Sequence, residues 1–363
     1  MIYKYINMKF SKRSEIQKKL YKLFTEMDKK WISRSRKVST SLVFETIMNA
    51  CRTKRGIDHV LKMSRADISH VSISKARSKI PENCFYDINR SIQVERTGNR
   101  VFAIDGSKVH VHPSFVNEGY VSRTNNKPVK RPAKRPLVML SSMLNVNTQT
   151  VHDFRLTKHF NERIAATEML SSVTEQDTLV FDRGYYSFGL YESLCKVGCT
   201  GIFRLKINAF GGIRQFFNSN KYESCVFAHN IDRTKSIRAR LVKYTIDGKK
   251  FVCLTNDFDL TRLQVQNLYK KRWKVEESFK RLKSNLNLEN SHAMKPELYV
   301  QEIQVRVLID TICLQLQERS CEIKSSYHTK SYLFFLDFDV RILSRFLVLK
   351  CETDIYPKSY HDK

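Results

Sequence analysis

The sequence predicts a mixed α/β protein: a helical amino-terminal region, then a core of alternating strands and helices, with a β-rich insertion before a long basic helix. Three observations predict it. Before residue 95, apolar residues recur at three- and four-residue steps. From residue 101, short apolar runs ended by turn residues alternate with amphipathic stretches. Between 207 and 256, β-like runs follow one another with only polar turns between them.

In the first region Ile16, Leu20, Leu23, Phe24, Met27 and Trp31 mark one helix face, and Leu42, Phe44, Ile47, Met48 and Cys51 mark a second. Two shorter helices are expected at 57–63 and 72–80. SRADISHVSISKARSKI fits either a helix-turn-helix that lays SISKARSKI into a DNA groove or part of an ordinary helical bundle with solvated Lys and Arg.

VFAIDGSKVHVH (101–112) has strand composition. Thr124–Pro136 is a basic loop, because its prolines remove amide donors and block helical conformation. LVMLSSMLNVNTQTVHDFRL (137–156) reads as a hairpin turning at Asn147-Thr148, with a helix after it at 161–173. DTLVFD (177–182) is a strand, SFGLYESLCKVG (187–198) a helix stopped by Gly, and TGIFRLK (200–206) a third core strand. The β-like runs of the insertion are RQFFN, ESCVFAHN and IRARLVKYTIDGKKFVCLTN, the last with a hairpin turn at Asp247-Gly248. Thr261-Arg262-Leu263-Gln264 fits a capping box that opens the long helix, and helical texture returns at 300–318. The expected organisation is a helical region at 1–95, a core at 96–320 with the insertion at 207–256, and a helical tail at 321–363 that is a candidate for dimerisation.

Lys and Arg number 64 against 36 Asp and Glu, a net charge of +28 spread along all 363 residues. Such a chain repels itself unless a polyanion offsets the charge, so nucleic acid is the expected partner and 1–95 the expected DNA-binding region. Hydrophobic residues make up 42%, which argues against global disorder. The apolar runs are too short to cross a bilayer, and MIYKYINMKFSKRSEIQKKL lacks a signal-peptide core. No membrane partner and a cytoplasmic, nucleoid-associated location are therefore expected. The nine Cys form no CxxC pair and read as reduced core thiols rather than a zinc site.

Asp105 and Asp182 each end an apolar strand and stand close before a Gly. Either alone fits a turn residue. If the two strands are neighbours, the carboxylates converge and need a cation between them, and hard divalent cations prefer such oxygen ligands. On a helix turning about 100° per residue, Tyr269, Arg272, Glu276 and Lys283 share one arc beside the apolar stripe of Leu268, Val275, Phe279, Leu282 and Leu286, while Glu277 points away. Glu276 thus falls on the border between buried and open, although an Arg272–Glu276 surface pair explains the charges alone.

Tyr269, Arg272, Glu276 and Lys283 spell Y-x2-R-x3-E-x6-K. With AIDGSKVHV around Asp105 and VFDRGYYS around Asp182 ahead of it, this resembles the signature of bacterial Asp-Asp-Glu (DDE) transposases of the insertion-sequence (IS) family four. The resemblance covers residues 70–315 and implies a ribonuclease-H-like catalytic core. It implies that Asp105, Asp182 and Glu276 are ligands of two Mg2+ (or Mn2+) ions. The activity it implies is metal-dependent cleavage at transposon ends and strand transfer into target DNA. The implied partners are double-stranded DNA, as terminal inverted repeats and target, and a second copy of the chain assembled on that DNA. The resemblance assigns Tyr269, Arg272 and Lys283 to the phosphates and displaced base near the cleaved end. Arg183 and Tyr185 are further candidates for DNA contact, with turn packing as the alternative. The tail after residue 320 departs from the family pattern, which leaves a catalytically inactive DNA-binding remnant or repressor as the alternative reading, and a nuclease that cuts without joining as a third.

Overall fold

The computed structural model describes residues 2–33, 37–64, 67–93, 99–120, 136–291 and 293–321. The basic loop, except Pro136, and the tail beyond Cys321 lie outside the described residues. The chain forms two compact units, one of residues 1–93 with 282–363 and one of residues 94–281.

The helical unit begins with α1 (Ile2–Trp31), α2 (Thr40–Thr53), α3 (Ile57–Ser64), α4 (His70–Arg77) and α5 (Cys84–Ile92). Ile16, Leu20, Phe24 and Met27 of α1 are buried as their spacing predicts, as are Phe44, Ile47, Met48 and Cys51 of α2. Phe44 joins the helices, its ring 5.2 Å from Phe24 of α1 and 6.2 Å from Phe85 of α5. Asp28 fixes the α1–α2 corner by accepting from the Thr40 amide at 2.7 Å and its hydroxyl at 2.6 Å.

The second unit is an eight-stranded sheet, β1 (Val101–His110), β2 (Leu137–Asn145), β3 (Thr150–Thr157), β4 (Thr178–Phe181), β5 (Thr200–Arg204), β6 (Glu223–His229), β7 (Ser236–Ile246) and β8 (Lys249–Thr255). Its order is β3-β2-β1-β4-β5-β8-β7-β6. The β1–β4 and β4–β5 pairs are parallel and all the others antiparallel. The central strands read as unbroken apolar runs because both sheet faces are covered. On one face Phe102, Ile104, Phe181 and Phe203 pack with Ala166 and Met169 of α6 (Glu162–Met169) and with Leu190, Tyr191 and Leu194 of α7 (Phe188–Val197).

The expected β-run RQFFN is instead the short helix α8 (Ile213–Asn218), entered from Gly212 at φ 86°. The other runs of the insertion are strands, with Asp247 (φ 48°) and Gly248 (φ 73°) giving the left-handed turn that their pairing favours. They are not a separate module: β8 pairs with β5 and continues the central sheet. Asn256, just past β8, locks this junction by accepting from the Gly201 amide at 2.8 Å and donating to the Cys199 carbonyl at 2.9 Å.

The long basic helix comes in two pieces, α9 (Arg262–Lys271) and α10 (Trp273–Lys280), followed by a five-residue wide turn at Arg281–Asn285. The capping box at Thr261 and Gln264 is present. Arg272 separates the pieces while keeping helical angles, because its amide bonds to the Tyr269 carbonyl three residues back. α9 packs over β4 and β7, and α10 over β1 and β2.

The helical unit closes with α11 (Pro296–Cys321), whose residues 301–313 are buried all round, as in a helix that runs through a core. It packs on α2 and α5. Glu302 of α11 lies between Arg77 at 3.0 Å and Arg306 at 3.3 Å and accepts from the Ser291 hydroxyl at 2.6 Å. Arg77, within the segment SISKARSKI, is thus a core cation and not a groove-facing side chain. The sequence reading placed Lys283 and this helix in the 96–320 core; by packing they fall in the helical unit.

Candidate active site

β1 and β4 run parallel with Ile104 opposite Phe181 as the last pair. The next residues are Asp105 and Asp182. β4 stops there and the chain turns away, its Tyr185 amide bonding to the Asp182 carbonyl at 3.1 Å, while β1 runs on to His110. Both carboxylates therefore stand where parallel strands end, the usual place for ligands in such sheets.

α9 and α10 supply the third carboxylate and the groups that tie the three together. Arg272 donates to Asp105 Oδ2 at 3.2 Å and to Glu276 Oε1 at 2.6 Å. Tyr269 donates from its hydroxyl to Asp182 Oδ1 at 3.0 Å. Arg204 of β5 stands 3.8 Å from the same oxygen. Asp105, Asp182 and Glu276 are thus brought together, with Glu276 half-buried and Glu277 exposed as helix geometry predicts.

Burial pushes the Asp105 carboxyl above the ordinary value, against the Gly106 amide and Arg272, which pull it down. Burial acts on Asp182 too, but the Arg183 amide, Arg272, the Tyr269 hydroxyl and Arg204 more than offset it and hold that carboxyl low. Arg272 is only 8% exposed. Burial works against its charge, yet Glu276, Asp182 and Asp105 hold it protonated more firmly than usual. Burial and Asp182 push the Tyr269 hydroxyl up to about 12, so it remains a donor at neutral pH.

The donor set is all carboxylate oxygen, which suits a hard divalent cation. Among the described residues no three Asp, Glu, His or Cys side chains form a ready-made cage. The Arg272 guanidinium lies between two of the candidate ligands and supplies the positive charge that they require.

The other expected site residues are Arg183, Tyr185 and Lys283. Arg183 is exposed beside Asp182. Tyr185 follows the packing alternative: it is 1% exposed, with its ring centroid 5.7 Å from that of Phe181. Lys283 lies in the wide turn after α10 and belongs to the helical unit. One acidic group went unnoticed. Glu162, the first residue of α6, lies against the residue after Asp105: a Cβ on Gly106 would stand 2.7 Å from Glu162 Oε1. Its only sequence signal was a helix start at Asn161-Glu162, which marks a cap and not a site.

Residues 96–309, more than half of the chain, match the family model described as the transposase DDE domain. The chain belongs to the DDE transposase family. Its function is DNA transposition, and the reading as an inactive remnant is not favoured. No curated protein matches this transposase. Among solved structures it is similar to a piggyBac transposase, seen by cryo-EM as a synaptic complex with hairpin DNA. That likeness has 12% identity and a TM-score of 0.46, and it covers 95% of this chain and 86% of the other. Among the described residues of the DDE transposase, no helix is long and apolar enough to cross a membrane.

Proposed function

We propose that this transposase cuts phosphodiester bonds at transposon ends and joins the freed ends to target DNA, with Asp105, Asp182 and Glu276 holding two divalent cations, Mg2+ or Mn2+. The observation that carries the reading is the pair of links from one signature string. Tyr269 reaches Asp182 while Arg272 reaches both Asp105 and Glu276. The finer family reading, IS family four with its Tyr-Arg-Glu-Lys string, rests on these residues and their order. The ribonuclease-H-like reading of the core is supported by the five-strand part β3-β2-β1-β4-β5, with its carboxylates at the ends of parallel strands.

Bound divalent cations would activate the attacking water or 3′-hydroxyl and stabilise the leaving oxygen of an in-line displacement. The chain's own residues do the rest. Asp105 and Asp182 fix two oxygens on adjacent strands, and Glu276 closes the set from α10. Arg272 bridges Asp105 and Glu276 and offsets one of their two charges before DNA arrives, and its fork geometry suits a transfer to a phosphate of the cut strand. Tyr269 orients Asp182 and lies beside Arg272, whose guanidinium carbon is 5.9 Å from its ring centroid. Arg183 and Lys283 are assigned to phosphate contacts, which position DNA without reading its sequence. Two ends must be cut in concert, so the active form is a dimer assembled on the terminal inverted repeats.

The test compares wild type with Glu276→Gln on end-bearing DNA with Mg2+. Gln keeps size and hydrogen bonding but loses the charge that binds cations. The expected outcome is a variant that binds DNA like wild type and neither cuts nor joins. Equal cutting by both proteins would remove Glu276 from the site.

A further inference from the structure

Glu162 is not part of the three-carboxylate signature, and the chemistry above makes no use of it. It reaches the site from the other side of the sheet. Successive side chains on a strand point to opposite faces. Asp105 meets Arg272, at the junction of α9 and α10, whereas the Cβ direction of Gly106 leads to Glu162 on α6.

The Glu162 side chain is admitted by glycine. A Cβ on Gly106 would stand 2.7 Å from its Oε1 and 2.9 Å from its Cγ. Its other oxygen, Oε2, is 3.7 Å from the Cβ position of Gly184, two residues after Asp182. The next residue, Arg163, donates to the Gly184 carbonyl at 2.9 Å and so pins the start of α6 to the turn after β4. The Glu162 carboxylate therefore sits between the segments that carry Asp105 and Asp182.

A second observation points to the same spot. The Tyr185 hydroxyl is buried and has no hydrogen-bond partner. After burial, the groups that most oppose its ionisation are Glu162, Asp105 and Asp182, which places the hydroxyl within electrostatic reach of all three. A buried hydroxyl without a partner, in the field of these three carboxylates, calls for an acceptor that a ligating oxygen or a metal-bound water would supply. Charge balance gives a reason for a fourth acid. Arg272 offsets one of the three signature charges, and Glu162 restores it.

We infer that Glu162 is a fourth carboxylate of the metal site, holding a divalent cation of the Mg2+ or Mn2+ class together with Asp105 and Asp182, on the sheet face opposite Glu276. The inference rests on the DDE reading of those two aspartates.

The test is Mn2+ binding to the full chain without DNA, followed by titration calorimetry and by the paramagnetic signal of free Mn2+. Glu162→Gln is expected to weaken binding at one site by about tenfold or more. Its melting temperature in EDTA should equal or exceed that of wild type, because a crowded charge is gone. Gly106→Ala should give a similar loss by displacing the carboxylate, and Glu168→Gln, farther along α6, should give none. If Gly106→Ala does not fold, Glu162→Gln decides alone. Wild-type Mn2+ affinity in Glu162→Gln overturns the inference. Asp105→Asn separates the two levels: if it abolishes binding while Glu162→Gln does not, only the fourth carboxylate is lost, and if neither variant changes binding, the DDE metal site itself is wrong.

Discussion

The Tyr269 hydroxyl donates to Asp182 across 3.0 Å, which ties α9 to the first residue beyond β4. This link is what keeps α9 registered over the strand ends. Tyr269→Phe removes the donor and little volume. A hydrogen bond to a charged group contributes about 1.5–3 kcal/mol, and the partial exposure of Asp182 puts this one near the lower end. The expected result is a fall of about 1–2 kcal/mol in unfolding free energy, read from the urea midpoint in EDTA at unchanged slope. An unmoved midpoint would make the bond incidental.

Arg272→Ala leaves Asp105 and Glu276 facing each other without a cation. Removing one member of a buried ion pair costs about 3 kcal/mol or more. The deficit should appear in EDTA and shrink in saturating Mn2+, because a cation bound to the folded state stabilises it. Arg272→Lys keeps the charge but lacks the fork that spans both carboxylates, so it should fall between. A deficit of the same size with and without Mn2+ would separate Arg272 from the metal-binding carboxylates.

Glu45 gives the helical unit a pH dependence. It lies in α2, 6% exposed, its Oε1 without a partner, and burial pushes its carboxyl from 4.5 to about 8. The folded state therefore holds a proton that the unfolded state releases. Its contribution to stability is greatest below pH 4.5, falls as the pH rises from there to about 8, and is flat above. The slope approaches about 1.4 kcal/mol per pH unit. Glu45→Gln should remove this slope and be the more stable protein at pH 9. Parallel urea midpoints for the two proteins from pH 5 to 9 would refute the assignment.

Asp177 shows the opposite sign. Arg100 grips it from Nε at 2.8 Å and Nη2 at 2.6 Å, and the Thr174 amide donates at 2.7 Å. Burial raises its carboxyl, but these partners more than offset that and hold it below 3.8. Its contribution is complete above pH 3.8 and is lost as the pH falls below its folded value. Asp177→Asn should cost about 2–3 kcal/mol at pH 7, and the gap to wild type should close as the pH falls through the lowered folded value. Because Asp177 stands before β4 and Asp182 after it, DNA cleavage well below the melting temperature should be unchanged. Lost cleavage in a folded variant would show that the clamp also sets the site.

Much of this architecture was legible. β1, β4 and β5 stood out as unbroken apolar runs because both of their faces are covered. Glu276 and Glu277 were told apart because one residue's step of about 100° around the helix separates border from solvent. RQFFN was not legible, because aromatic composition mimics a strand and only tertiary packing made it α8. The break at Arg272 leaves the helical phase nearly intact, so periodicity carries no trace of it. The wide turn at 281–285 does shift the phase, and nothing in the spacing announces it. Glu162 was missed, and Tyr185 left open between two roles, for one reason: burial and approach across a sheet depend on which helix covers which strand, and a single sequence does not encode that pairing locally.

The junction of β5, β8 and Asn256 acts as a ruler. Phe203 pairs with Leu254, and Asn256 then fixes the chain just before it enters α9. Lengthening the hairpin at Asp247-Gly248 leaves that measure untouched, so the tip can grow, shrink or carry a fused peptide without altering catalysis. One residue added or removed between Thr255 and Thr261 has the opposite effect, turning α9 by about 100° and carrying Tyr269 and Arg272 away from their carboxylates. Natural variation in length is therefore expected at the far end of the insertion and forbidden at its return.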